Sequence, residues 1–403
     1  MTNSLLTSQQ EEARRHLLEW KVGALFMEAG TGKTRVAVEL VNLVPACDVV
    51  VYICPLRTID NVKEEIKKWG GFACKNIVFY GIESISMSDR IYLELLSLIQ
   101  KHSQPFVVVD ESLKIKNAEA KRTKRLLNIG KMVEYKLILN GTPLSKNLLD
   151  VWSQMEFLSS KILNMPLVEF KDTFCDYTKV RKWFGGKKSY TKEFITGYEN
   201  IDYLYSLIRH YVYECDLHLN ITQNYHNLRY SIDDKSKGEY EYLKVKYLDD
   251  EMLQWKNNNI FLEMTQKMQH TYCCTEEKFE ILDDLFKSVA QEQTIIFCKY
   301  IKSREECEKR YKKAKVLSYQ KESLGLNLQQ YCNTVYFDKI WDLALRTQSS
   351  RRTYRTGQEY NCQYYDLTGN VGLESLIDNN INKKITMTEY FKGKTKEQIK
   401  KEL

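Results

Sequence analysis

Two clusters in this 403-residue chain have the residue types and spacing to act on a phosphate. The first is Glu28-Ala29-Gly30-Thr31-Gly32-Lys33-Thr34. It follows the apolar run Ala24-Leu25-Phe26-Met27 and opens a helical pattern through Val36, Ala37 and Leu40. Glycines let successive backbone N–H groups curl around an anion, and the start of a helix supplies more of them. In that setting Ala29 to Gly32 line the phosphates, Lys33 reaches the terminal ones and the Thr34 hydroxyl ligates Mg²⁺. The strict pattern has a glycine where Met27 stands, so this is its relaxed form. The second cluster is Asp110-Glu111, closing the run Phe106-Val107-Val108-Val109. Asp110 suits holding Mg²⁺ through water, and Glu111 suits orienting an attacking water. An apolar strand ending in Asp-Glu is common by itself. Its company with Lys33-Thr34 makes it specific.

Such groups need a rigid frame. From about residue 20 to 160 short apolar runs alternate with amphipathic segments. Ala24–Met27, Val49–Cys54, Asn76–Tyr80, Phe106–Val109 and Lys136–Leu139 are near-continuous apolar runs, as strands buried on both faces must be. The prediction is a parallel sheet covered by helices. From about 160 to 275 aromatic and basic residues dominate, with helical stretches such as 239–269. From about 276 the alternation returns, with helix Lys278–Val289, strand Thr294–Phe297, helix Ser303–Tyr311 and strands Lys315–Ser318, Thr334–Phe337 and Gln363–Leu367. The expected fold class is α/β: two lobes with parallel sheets (1–158 and 276–385), an insertion with helices and a hairpin (159–275), and a charged tail (386–403).

Composition narrows the class. Hydrophobic residues make up 43% and charged residues 28%, a globular balance. No apolar run approaches the roughly 18 residues of a membrane span. Met1 to Thr7 lacks a basic region followed by an apolar core, so a cytoplasmic location without membrane contact is expected. Eleven cysteines are scattered without a Cys-x-x-Cys pair, which reads as reduced thiols rather than a zinc site. The six histidines show no metal spacing. The net charge of +7 only weakly suggests nucleic acid.

Further segments carry a family resemblance. Asp110-Glu111-Ser112-Leu113-Lys114-Ile115-Lys116-Asn117 resembles the Asp-Glu-x-His-x-x-Lys-Asn box of SWI/SNF-type helicase-like ATPases in helicase superfamily 2. Leu139-Asn140-Gly141-Thr142-Pro143 resembles their Gly-Thr-Pro motif, and Leu149-Asp150-Val151-Trp152-Ser153 follows as it does there. Leu6-Thr7-Ser8-Gln9-Gln10 resembles the motif whose glutamine, Gln10 here, reads adenine. Pro55, Arg57 and Thr58, with Asn61 and Trp69, resemble the motif that touches the tracked strand. Gly325-Leu326-Asn327-Leu328-Gln329 resembles motif V, and Gln348, Arg352, Arg355, Gly357 and Gln358 have the spacing of motif VI. The resemblance implies RecA-like lobes, ATP with Mg²⁺, and Arg352 and Arg355 acting on the phosphates from the second lobe, with Gln348 beside them. It implies DNA, double-stranded or branched, as partner, with Asn327 at the strand.

Departures stand beside these matches. Leu113 replaces the usual histidine, Asn140 the usual threonine, and Glu322 and Ser323 the usual glycines. The stretch from Phe297 to Ser318 is short of one strand–helix unit, a compaction that resembles phage-encoded members. The resemblance favours a translocase on double-stranded DNA that remodels or branch-migrates it. A strand-separating helicase and a poorly coupled ATP-dependent clamp stay open. A monomer is expected, and protein partners are not legible.

Lys171 to Lys192 holds seven basic and two acidic residues. Lys179 to Tyr190 reads as a hairpin about Gly185-Gly186. Arg181, Lys182, Lys187 and Lys188 are expected side by side at its end, with Trp183 near the tip, as a phosphate-binding and stacking surface.

Overall fold

Near-continuous Val/Ile/Leu runs are what strands covered on both faces require, and each such run here becomes a strand. A computed structural model describes residues 5–141, 148–184, 188–249, 258–319, 328–355 and 357–382. The strands in chain order are β1 (Val22–Met27), β2 (Val49–Cys54), β3 (Ile77–Gly81), β4 (Pro105–Val109), β5 (Tyr135–Asn140), β6 (Cys175–Phe184), β7 (Lys188–Tyr198), β8 (Val212–Cys215), β9 (Gln223–Tyr230), β10 (Thr294–Cys298), β11 (Lys315–Ser318), β12 (Asn333–Tyr336) and β13 (Cys362–Gly369). The chain falls into two units, Met1–His218 and Leu219–Leu403.

The first unit is built on a parallel sheet of order β3-β2-β4-β5-β1-β8. Helices on its two faces enclose separate apolar clusters. One includes Val51, Ile53, Val107, Val109 and Ile138; the other includes Leu25, Val36, Val50, Tyr52 and Val108. Burying one such side chain contributes about 1.5–3 kcal/mol. The second unit is a parallel sheet of order β11-β10-β12-β13-β9, with its core around Phe279, Ile296, Val335 and Phe337.

The segment 159–275, expected as an insertion, is shared between the two units. Its first part belongs to the first unit: Ile162, Phe170, Phe174 and Leu204 are in that core, and β8 pairs with β1. Its last part belongs to the second: β9 pairs with β13, and Tyr240, Met264, Met268 and Tyr272 join that core. The sequence hid these strands for physical reasons. β8 has only four residues, and β9 is an edge strand whose pattern is mostly polar.

The hairpin is a two-stranded antiparallel sheet, β6 with β7, longer than the expected Lys179–Tyr190. Its register is as follows. Arg181 pairs with Thr191, Lys182 with Tyr190, Trp183 with Ser189 and Phe184 with Lys188. Gly185, Gly186 and Lys187 lie outside the described residues. Among the described residues no helix is long and apolar enough to cross a membrane.

Candidate nucleotide site and nucleic-acid surfaces

β1 brings the chain to the phosphate loop, and the helix Lys33–Asn42 carries it away. Between them Gly30 (φ +93°) and Gly32 (φ +86°) are left-handed, a conformation open to glycine at no steric cost. A Cβ on Gly32 would lie 2.3 Å from Gln10 Nε2. The Thr31 hydroxyl donates to Glu28 O at 2.7 Å. Glu28 N donates to Cys215 O at 3.0 Å, and the Glu28 carboxylate accepts from Leu217 N at 2.8 Å. β8 and the residues after it therefore pin the loop, a role that no local sequence pattern announces.

Gln10 is buried, and its carboxamide is engaged inside the protein. Nε2 donates to Thr31 O at 2.9 Å, while Oε1 accepts from Thr7 N at 3.2 Å in the capping box of the helix Ser8–Leu17. A carboxamide has further donor and acceptor capacity, so bracing the loop and meeting a base edge are compatible. Lys33 Nζ lies against Gly141, where a Cβ would sit 3.4 Å from it. This places the ammonium beside the end of β5, at the Gly-Thr-Pro motif. Thr142 to Asn147 lie outside the described residues.

Asp110 closes β4 and is buried. Oδ1 accepts from Glu111 N at 2.9 Å, and Oδ2 accepts from Tyr52 OH at 3.5 Å. Burial pushes its carboxyl up to about 6; the Lys33 charge pulls it down and the Glu111 charge adds to the rise. Its hydrogen bonds are too few to offset desolvation. Tyr52, wholly buried on β2, also has the Thr34 hydroxyl near its phenol. The phenol thus lies beside the two residues expected at a magnesium ion. A buried carboxylate short of positive partners, a nearby hydroxyl and a hard-oxygen donor set fit a hard divalent cation. Tyr52 was missed from sequence. A phenol inside an otherwise apolar strand was the available signal, since a buried hydroxyl requires a partner.

Glu111 is left-handed at φ +53° and caps the short turn Ser112–Ile115. Strain of this kind in a non-glycine residue persists where the surroundings hold it. They do so here through the helix Leu149–Leu158. Ser112 Oγ donates to Gln154 Oε1 at 2.6 Å, Ser153 Oγ donates to Ile115 O at 2.7 Å, and Lys116 pairs with Asp150 at 3.3 Å. Gln154 Nε2 donates to Asp150 O at 2.8 Å. The acidic box is therefore tied to the helix after the Gly-Thr-Pro motif by Ser112 and Gln154, two positions sequence reasoning passed over. Leu113 takes no part in these bonds.

The expected strand-contact residues divide. Pro55 is buried, and the Thr58 hydroxyl donates to Pro55 O at 2.8 Å, so these two shape the turn after β2. Arg57 is exposed there. Trp69 carries Arg35 and Lys68 over its ring at 4.5 and 4.8 Å. Asn327 lies outside the described residues. In the second unit Gln348 is on the helix Leu343–Ser350, and Arg352 and Arg355 follow in the turn that Gly357 (φ +95°) and Gln358 close. Gln358 Nε2 donates to Tyr331 O at 2.8 Å.

A sequence profile described as the SNF2-related domain matches residues 70–312, more than half of the chain. The chain belongs to the SNF2-related domain family. The matched region of this SNF2-related chain contains the acidic box and the Gly-Thr-Pro motif; the phosphate loop precedes it and motif VI follows it. Similar proteins include the helicase swr-1 of Neurospora crassa, 27% identical over 229 residues, covering 49% of this chain and 12% of that protein. The nuclear protein STH1/NPS1 of Saccharomyces cerevisiae is 29% identical over 185 residues, covering 39% and 13%. The chain thus spans about an eighth of the length of these curated relatives. Among solved structures, the Sulfolobus solfataricus SWI2/SNF2 ATPase core in complex with dsDNA is 18% identical with a TM-score of 0.43, covering 94% of this chain and 91% of that one.

Proposed function

We propose that the chain is an ATP-driven motor acting on double-stranded DNA, translocating along it to remodel or branch-migrate it. The observation that carries this reading is the constellation at the end of the first sheet. A glycine loop ends at Lys33, and the Tyr52 phenol lies near Thr34 and donates to an under-partnered Asp110. Thr34 and Asp110 would hold the magnesium ion, which supplies charge neutralisation at the phosphates when bound. Lys33 binds the terminal phosphates and Gly30 to Gly32 offer backbone N–H groups to the rest. Glu111 orients the attacking water. Arg352 and Arg355 are the cations we assign to the charge that develops in the transition state.

DNA as partner is supported by Arg57 exposed beside β2 and by the basic hairpin, and the name helicase printed for one relative agrees with a nucleic-acid partner. All eleven cysteines are free, which favours a cytoplasmic site of action. Displacement of a third strand from a triplex, measured beside unwinding of a fork, tests the reading. ATP-dependent triplex displacement without fork unwinding is the expected result. Unwinding of the fork alone makes the protein a strand-separating helicase.

A further inference from the structure

Two of the chain's thiols meet in the first unit, where the strands β2 and β3 begin. Cys47 follows the helix Lys33–Asn42 and leads into β2, and Cys74 leads into β3. These strands are parallel neighbours with Val50 opposite Ile77. Counting back three residues from each member of that pair reaches Cys47 and Cys74. The two cysteines therefore enter the sheet side by side.

Cross-links on both sides hold them there. Val50 N donates to Asn76 O at 2.9 Å where the sheet starts. Ahead of the sheet, Asn42 Oδ1 accepts from Ala73 N at 2.7 Å, and Asn42 Nδ2 donates to Gly71 O at 3.2 Å. The end of the helix is thus fastened to the loop that delivers Cys74. The side chains take matching courses. Cys47 Sγ donates to Val49 O and Cys74 Sγ to Asn76 O, both at 3.5 Å, and both side chains pack on the same apolar cluster.

Neighbouring strands lie about 4.8 Å apart, inside the separation of about 4.4–6.8 Å between Cα atoms that a disulfide spans. Burial pushes the Cys47 thiol up to about 12, and the Cys74 thiol beside it adds to the rise, since charge on one sulfur opposes charge on the other. Both residues are half-buried, so a small reagent reaches them. Cys298 and Cys307 are also neighbours, but both are wholly buried. Two sulfurs fall short of the four donors of a structural zinc site, and among the described residues no group of three or more His, Cys, Asp or Glu side chains could hold a metal ion.

We infer that Cys47 and Cys74 form a redox modification site, a dithiol that a small disulfide such as oxidised glutathione converts into an intramolecular disulfide. The Cys74 sulfur lies on the more exposed side and attacks first, as thiolate. It bonds to one sulfur of the reagent and displaces one glutathione thiolate. The Cys47 thiolate then attacks the Cys74 sulfur, forms the internal bond and displaces the second glutathione. The two protons given up by the cysteines end on two glutathione thiols, and the two electrons reduce the S–S bond of the reagent. The new bond closes the segment that carries β2, Arg57 and Trp69 into a loop. The inference does not depend on the motor reading.

Incubation of the full chain with oxidised glutathione, then alkylation of the remaining thiols and peptide mapping by mass spectrometry, tests it. A Cys47–Cys74 linked peptide is expected, and dithiothreitol should remove it. Cys47→Ser should leave Cys74 as a lasting glutathione adduct, because no partner completes the exchange. Cys74→Ser should yield at least tenfold less adduct at Cys47 than Cys47→Ser yields at Cys74. If the wild-type chain gives no Cys47–Cys74 link, or if either cysteine links as readily to a third, the inference is overturned. Equal adducts in the two variants overturn the order of attack.

Discussion

Each unit buries an aspartate just past the end of a central strand, and the two are treated differently. Asp338 follows β12 in the second unit. It accepts from Lys278 Nζ at 2.9 Å, Ser303 Oγ at 3.1 Å, Lys299 N at 2.9 Å and Tyr300 N at 3.3 Å. Burial opposes the charge on Lys278, yet Asp338 beside it holds the ammonium above its usual value. Asp110 follows β4 in the first unit and receives one backbone N–H and one long phenol bond, with its carboxyl raised by burial. A carboxylate surrounded by donors is a structural element. One left short of them at the mouth of a glycine loop is prepared for a cation that arrives with its substrate. The contrast shows how burial can be the same while partner count separates scaffold from site.

The largest effects should come from breaking the site itself. Lys33→Ala should lower ATP turnover by orders of magnitude, and Glu111→Gln should stall turnover while keeping nucleotide binding, because water positioning is lost and the magnesium ligands remain. Radiolabelled phosphate release and nucleotide titration measure both. Near-normal turnover in both variants would remove the site assignment.

The two aspartates give the next test. Asp338→Asn leaves Lys278 buried without its counter-ion and should cost about 3–5 kcal/mol of stability, read from denaturant midpoints. Asp110→Asn should leave the nucleotide-free protein as stable as the wild type or more so, while abolishing magnesium-dependent turnover. Equal destabilisation by both substitutions would erase the distinction drawn between them.

Smaller effects are expected from the tie between the acidic box and the helix Leu149–Leu158. Ser112→Ala and Gln154→Leu should each cost about 1–2 kcal/mol, and the double variant should cost less than their sum, since removing both partners leaves no orphaned group. Additive costs in the cycle would mean that the two side chains act independently.

A third buried ion sharpens the comparison by lying away from any site. Lys136, at the start of β5, donates to Gly130 O at 2.6 Å, and burial lowers its ammonium to about 8 from 10.5. Between those values the unfolded chain binds more protons, so this group's contribution to stability rises with pH through that window. Lys136→Met should therefore stabilise the protein at pH 7 by on the order of 1–3 kcal/mol, and the advantage should shrink as pH rises from about 8 to about 10.5. A gain that does not vary with pH would point to packing instead of charge.

Much of this was legible in residue order alone. Five of the six strands of the first sheet and the loop at Gly30 to Lys33 follow from apolar runs and from glycine with lysine at a strand–helix junction. What stayed hidden depends on contacts between residues far apart in sequence. Cys215 and Leu217 pin Glu28, Gln154 meets Ser112, and Tyr52 reaches both Asp110 and Thr34. The end of β8 looked like linker because four residues carry too little periodicity to read. The hairpin is longer than the sequence suggested because pairing extends well beyond the turn that signalled it.

ATP turnover by the full chain, with and without duplex DNA, tests the central claim most directly. The account predicts magnesium-dependent hydrolysis that duplex DNA stimulates and that Lys33→Ala removes under both conditions. Hydrolysis that persists in Lys33→Ala, or a wild-type protein that turns over no ATP with duplex present, would contradict it.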